Sequence, residues 1–126
     1  MLGDDAFKPA VSVLTEEDLA TKKLEATAAC TPLLLQLGSD VCERCPAFHT
    51  AIAQLGNEYR FTWYYCDAHH QDTDLPEALE VTKLPAFLLY TPGSTSDYVV
   101  ANASIKDLTE AVRDGCLPVF TQDADF

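Results

Sequence analysis

The stretch Leu33-Leu34-Leu35-Gln36-Leu37-Gly38-Ser39-Asp40-Val41-Cys42-Glu43-Arg44-Cys45-Pro46-Ala47-Phe48 decides the fold class of this chain. Its first five residues are almost continuously apolar, as expected of a strand buried on both faces of a parallel sheet. Gly38-Ser39-Asp40 breaks that run. Beyond the two cysteines, Phe48, Ile52, Leu55 and Tyr59 recur at spacings of four, three and four, the stripe of an amphipathic helix. A buried strand that turns at once into such a helix reads as part of a βαβ unit, so the expected class is α/β.

Upstream, Ala10 to Leu14 reads as a short first strand. Thr15-Glu16-Glu17-Asp18 has the form of a capping box, opening a helix that should end near Ala28. Downstream, Phe61 to Cys66 reads as a strand and His69 to Asp74 as a polar loop. Asp74 and Glu77 are placed to cap a short helix with Pro76 in its first turn, where a missing N–H costs little, and this helix should be over by Thr82. Ala86 to Tyr90, the turn Thr91-Pro92-Gly93-Ser94 and Tyr98-Val99-Val100 read as a β-hairpin that closes the sheet antiparallel. Ser104 should begin the last helix, with Ile105, Leu108 and Val112 inward and Gly115 just past its end.

The chain has 126 residues, 48% of them hydrophobic, which suits one domain with a continuous core. The expected domain is 1–126, with its core at about 10–115 and a short acidic tail at 116–126. Twenty acidic residues against 8 basic ones give a formal net charge of -12, which repels phosphate backbones and anionic membrane surfaces, so no nucleic-acid or membrane partner is expected. No apolar run approaches the roughly 20 residues needed to cross a bilayer. Asp4, Asp5 and Pro9 stand where a signal peptide would need a basic start and an apolar stretch, and a cytoplasmic location is the expectation.

The five cysteines, Cys30, Cys42, Cys45, Cys66 and Cys116, are odd in number and do not read as a secreted disulfide framework. Reduced thiols with one reactive pair is the expected pattern. Cys42 and Cys45, three apart in the first turn of a helix, have Cβ atoms about 5 to 6 Å apart, and small adjustments permit a disulfide. Unpaired N–H groups at a helix N-terminus lower the pKa of a first cysteine from about 8.5 toward about 3.5 to 7.5. Cys42, at the helix mouth, is thus the expected nucleophile and Cys45 the resolving thiol. Two other readings stay open for an isolated Cys-x-x-Cys. One is a pair of inert thiols. The other is a zinc site, for which only Cys66, His69 and His70 are available to complete the ligands.

With the buried strand before the pair, the βαβ context and Lys83-Leu84-Pro85-Ala86-Phe87-Leu88-Leu89-Tyr90 forty residues downstream, the chain resembles the thioredoxin family over about Ala10 to Gly115. The resemblance implies a three-layer fold with a mixed sheet of four to five strands. It also implies a cis peptide bond at Pro85 facing the thiols, with the backbone of Leu84 free to pair with an extended substrate; from the residues alone, a trans proline starting an edge strand is the plainer reading. Val41, Glu43, Arg44 and Leu84 would line the surface that the substrate meets. Typical members read Trp-Cys-Gly-Pro-Cys-Lys, where this chain has Val41-Cys42-Glu43-Arg44-Cys45-Pro46. Gln36 stands where the family carries a buried aspartate, and Trp63 where it carries the accompanying lysine. A glutamine is easier to bury than a lone carboxylate but takes no proton from Cys45, so slow resolution is the implied consequence. Between the thiols, Arg44 should favour the Cys42 thiolate and Glu43 oppose it.

Of the remaining candidates, His49 reads as part of a solvated helix face, with tuning of Cys45 as the alternative. Cys66 reads as a small buried filler, with a relay thiol as the alternative. Cys30 and Cys116 read as incidental, and the aromatics of Phe61 to Tyr65, Trp63 included, as strand core. The function implied is a thiol-disulfide oxidoreductase or redox carrier acting on protein disulfides without a bound cofactor. The alternative is a thioredoxin-like structural or redox-sensing subunit of a larger assembly, of the axonemal dynein light chain type, with little turnover.

Overall fold

The computed structural model describes residues 12–13 and 15–119. Eight elements follow one another as α1 (Glu16–Ala29), β1 (Leu33–Gly38), α2 (Cys45–Gly56), β2 (Thr62–Asp67), α3 (Leu75–Ala78), β3 (Ala86–Tyr90), β4 (Tyr98–Val100) and α4 (Ile105–Gly115). The four strands form one mixed sheet in the order β2-β1-β3-β4. β1 runs parallel to β2, with Gln36 opposite Tyr65, and antiparallel to β3, with Leu37 opposite Ala86. β3 and β4 form the antiparallel hairpin.

Every residue of β1 is buried, because helices cover both faces of the sheet. Leu33, Leu35 and Leu37 pack with Leu19, Ala26, Tyr64 and Leu75 in one core. Leu34 packs with Phe48, Ile52, Trp63, Phe87, Leu108 and Val112 in the other, between the sheet and α2 and α4. Period-two alternation puts Gln36 and Gly38 on the same face as Leu34, so the polar interruption of β1 lies under α2.

The expected capping box at Thr15 forms, and Ser104 opens the last helix with a second one that the sequence reading did not assign. The Thr15 hydroxyl accepts from the Asp18 N–H at 3.1 Å, and the Ser104 hydroxyl from the Asp107 N–H at 3.0 Å, while each carboxylate accepts from the cap residue's own N–H. Three local expectations are corrected. Asp74 does not cap α3 with its side chain; its Oδ1 accepts from the Glu16 N–H at 2.9 Å, because the free first-turn donors of α1 lie within its reach. Ile105 is 48% exposed, since a helical side chain covers the turn before its own Cα and the first residue of α4 has none. Gly115 is the last helical residue, not a left-handed stop beyond it: a Cβ there would lie 2.8 Å from Leu89 Cδ2, so its smallness lets α4 close on β3.

Of the first expected strand, Ser12 forms an isolated parallel bridge to Tyr65 and the Val13 N–H donates to the Tyr65 carbonyl at 2.9 Å; Ala10, Val11 and Leu14 lie outside the described residues. The start of the expected tail is tied down, with Arg60 N–H donating to the Leu117 carbonyl at 2.8 Å and Val119 N–H to the Glu58 carbonyl at 2.9 Å, and 120–126 lie outside the described residues. No helix among the described residues is long and apolar enough to cross a membrane.

Candidate functional site

β1 delivers the chain to the site at Gly38. Ser39, which is buried, organises the turn that follows: its hydroxyl accepts from the Val41 N–H at 3.2 Å and its carbonyl from the Cys42 N–H at 3.2 Å. The Cys42 carbonyl in turn accepts from the Cys45 N–H at 3.3 Å. Cys42 thus stands in a turn before α2, and Cys45 is the first helical residue, which corrects the placement of both in one helical turn. Pro46 supplies the reason. Were the helix to begin at Cys42, residue 46 would have to donate to the Cys42 carbonyl, and proline has no N–H and a ring that clashes there. Starting α2 at Cys45 puts Pro46 in the first turn, where no donor is needed.

Cys42 and Cys45 are joined in a disulfide, with Cα atoms 5.4 Å apart. Cys45 is buried and Cys42 half-buried. Cys42, in the turn before α2, is the more accessible sulfur. Gly38 leaves room for this arrangement: a Cβ on it would stand 3.2 Å from the Tyr65 ring, 3.3 Å from the Tyr65 hydroxyl and 3.5 Å from the Cys45 sulfur. Burial first, then the charges of Asp67, Asp40 and Cys66, push the Tyr65 phenol up, so its hydroxyl near Cys45 stays protonated.

The Leu84-Pro85 peptide bond is cis. Because Leu37 pairs with Ala86, Pro85 meets the sheet at the end of β1 from which the Cys42 turn departs. An open groove of about 530 Å³ is lined by Val41, Cys42, Glu43, Arg44, Leu84 and His69. Val41 is 76% exposed there, an apolar side chain beside the accessible sulfur. The Arg44 guanidinium is engaged with the Asn102 side chain and, at 3.4 Å, with the Ala103 carbonyl. Asn102 and Ala103 donate from their backbones to the carbonyls of Lys83 and Pro85 at 3.1 and 2.8 Å. Arg44 therefore ties the start of α2 to the segment that carries Pro85, a role the sequence reading did not assign to it.

Beneath α2, Gln36 is 1% exposed, and its Oε1 accepts from Trp63 Nε1 at 3.0 Å and pairs with His49 Nδ1 at 3.2 Å. The His49 and Trp63 rings lie 4.6 Å apart. His49 is exposed, as the reading of a solvated helix face expected, but its Nδ1 edge is held by the buried Gln36 amide, and partial burial pulls its pKa below the ordinary value of 6.5. Trp63 is core, as its neighbours suggested, and also a donor into the site.

Two participants were not placed at the thiol groove by the sequence: Asn102, and His69, which it offers only as a candidate zinc ligand. His69 lines the groove and its Nδ1 lies 2.8 Å from the Ser39 hydroxyl. Asn102 anchors Arg44 from a left-handed backbone position, φ 51°, which asparagine tolerates better than most residues, and its place just before the Ser104 cap was the available signal. Cys66 is buried, its thiol pushed up by burial and hydrogen-bonded to Thr73 at 3.4 Å. Cys116 is buried, its thiol pushed up to about 12 by that burial, and Cys30 is exposed. Among the described residues no group of three or more His, Cys, Asp or Glu side chains is arranged to hold a metal ion. His69 is turned to Ser39, and His70 Nδ1 accepts from the Asp72 N–H at 3.0 Å.

No curated protein matches the sequence. Among solved structures, the fold is similar to oxidised thioredoxin O1 from Arabidopsis thaliana (TM-score 0.68, 20% identity, 82% of this chain and 96% of that one). It is also similar to thioredoxin from Plasmodium falciparum (TM-score 0.69, 17% identity, 89% and 93%) and to reduced thioredoxin from Schistosoma mansoni (TM-score 0.70, 13% identity, 86% and 99%). At such identities the likeness speaks for the fold alone. The sequence itself matches the Thioredoxin family over residues 11–114, a span that takes in the buried strand, the cysteine pair, the cis proline and all but the last residue of α4. On that match, with the mixed sheet and the pair at disulfide distance, this chain belongs to the thioredoxin family.

Proposed function

We propose that this protein is a dithiol-disulfide oxidoreductase that exchanges electrons with disulfides of partner proteins through Cys42 and Cys45. The observation that carries the reading is the asymmetry of the pair: the two cysteines are bonded, Cys42 is half-buried in an open groove, and Cys45 is buried against Gly38 and Tyr65. A partner disulfide can reach only the first sulfur. In the reduced protein the Cys42 thiolate attacks a sulfur of the partner, a mixed disulfide forms, and one partner thiolate leaves with the electron pair. Cys45 then attacks Cys42, re-forming the internal disulfide and releasing the second partner thiolate. No cofactor enters this exchange.

The backbone of Leu84, in the groove beside the cis proline, suits an extended partner segment, and exposed Val41 offers it apolar contact. Glu43 and the net charge of -12 favour a neutral or basic segment. The test is reduction of insulin with dithiothreitol as the electron source. The wild-type chain is expected to accelerate it and Cys42→Ser to abolish the acceleration, while Cys45→Ser should accumulate mixed disulfides seen on non-reducing gels. Equal rates for wild type and Cys42→Ser would sink the reading.

A further inference from the structure

We propose that His49 is the proton acceptor for Cys45, held in its Nδ1–H tautomer by Gln36 so that Nε2 is the basic nitrogen. The proposal rests on Cys45 being the resolving thiol. A thiol must lose its proton before it attacks a disulfide, and Cys45 is buried, where ionisation without a nearby base is costly. Gln36, directly under the helix, is no base.

The hydrogen bonds fix which nitrogen of His49 carries the proton. The indole N–H of Trp63 can only donate, so the Gln36 atom 3.0 Å from it is the carbonyl oxygen. That same oxygen faces His49 Nδ1 at 3.2 Å, and an oxygen that only accepts requires Nδ1 to donate. The neutral ring therefore carries its hydrogen on Nδ1 and its lone pair on Nε2. Cys45 lies four residues before His49 on α2, one helical turn away, a spacing that puts the two Cβ atoms about 5 to 6 Å apart, within the reach of a proton relay through one water. The groups against the ring are Gln36 of β1 and Trp63 of β2, and the residue is otherwise exposed. Among the described residues no salt bridge reaches the ring, and burial alone lowers its pKa, which keeps it neutral and ready to accept a proton near pH 7.

The step balances as follows. The Cys45 S–H proton passes to Nε2, giving imidazolium. The Cys45 thiolate attacks the Cys42 sulfur, the Cys42–Cys45 bond forms, and the bond from Cys42 to the partner sulfur breaks. The partner thiolate leaves with the electron pair and takes the proton back from His49 or from water. The dithiol is oxidised and the partner disulfide reduced. The slow resolution implied by Gln36 alone is thereby relieved: Gln36 positions the base instead of being it.

Reaction of the reduced protein with dithiobis(nitrobenzoate), in a Cys30→Ser background that removes the exposed third thiol, separates the two steps. The first thionitrobenzoate released reports attack by Cys42, and the second reports closure by Cys45. In His49→Gln the first phase should be unchanged, and the second about a hundredfold slower at pH 7, the size expected for a lost proton acceptor. The pH midpoint of the second phase should move from below 6.5 toward the ordinary thiol value near 8.5. Added imidazole should restore the second phase in His49→Ala. Gln36→Met, which keeps His49 but removes its anchor, should slow the second phase severalfold with the first intact; it is the independent arm if the His49 variants fail to fold. A second phase of unchanged rate and midpoint in His49→Gln, or an unchanged second phase in Gln36→Met, overturns the proposal. A wild-type protein with no first phase overturns the assignment of Cys42 itself, a failure distinguishable from that of His49.

Discussion

At the residue scale, Gln36 shows how a buried polar group is made tolerable and then useful. Its carbonyl satisfies the Trp63 indole and orients His49, and no buried side-chain nitrogen or oxygen among the described residues lacks a partner. Gln36→Leu keeps the volume but withdraws that acceptor from two donors, and we expect a loss of about 1 to 3 kcal/mol in urea unfolding. The free thiols make a second prediction. Burial pushes Cys66 up and Cys116 up to about 12, whereas Cys30 is exposed. In the folded, reduced protein near pH 8, iodoacetamide should modify Cys42 and Cys30 within minutes and leave Cys66 and Cys116 untouched by mass spectrometry until urea is added.

At the scale of elements, α4 depends on its cap. The Ser104 backbone N–H first, and its hydroxyl next, hold the Asp107 carboxyl below the usual carboxylate range. A depressed carboxyl contributes stability that is present above its unfolded pKa and lost as pH falls through the folded one. Independently of that titration, removing the N-cap hydroxyl in Ser104→Ala should cost about 0.5 to 2 kcal/mol, and the Asp107 titration should move part of the way back up, as read by NMR. The α2 entry is set differently, by Pro46 and the Ser39 turn, with no side-chain cap. An unaltered thiol site in Ser104→Ala, measured by the first thionitrobenzoate phase, would show that the two helix starts are energetically separate.

For the whole molecule, a net charge of -12 on 126 residues means that the compact state carries unrelieved self-repulsion. The melting temperature should rise as sodium chloride is raised from about 10 to about 200 mM, where the Debye length contracts to less than 10 Å. Acid acts through His49 as well. A base whose folded pKa is lowered binds its proton first in the unfolded chain, so stability is full above about 6.5 and falls as pH drops toward the folded pKa. His49→Gln should flatten that part of the urea-midpoint profile between about pH 7 and about pH 5, with the acid limb of the carboxylates remaining.

Periodicity and local chemistry were sufficient for the α/β class, the buried strand, the hairpin, the Thr15 capping box and Ser104 as the start of the last helix, because each rests on residues that are neighbours in the chain. The family resemblance was legible for the same reason, in Leu33 to Pro46 and Lys83 to Tyr90. The turn at Cys42 was misread even though Pro46 was in view, since its meaning depends on which carbonyl its ring would strike. Tertiary structure alone decided the rest. Gln36, His49 and Trp63 are separated by 13 and 27 positions and meet only because β1 and β2 pair and α2 folds over them. Arg44 finds Asn102 58 residues away, and His69 reaches Ser39 across 30. Contacts of that kind depend on strand register and helix phase together, which local patterns leave open, and so the sequence alone determined where the thiols are, while packing decided which groups stand around them.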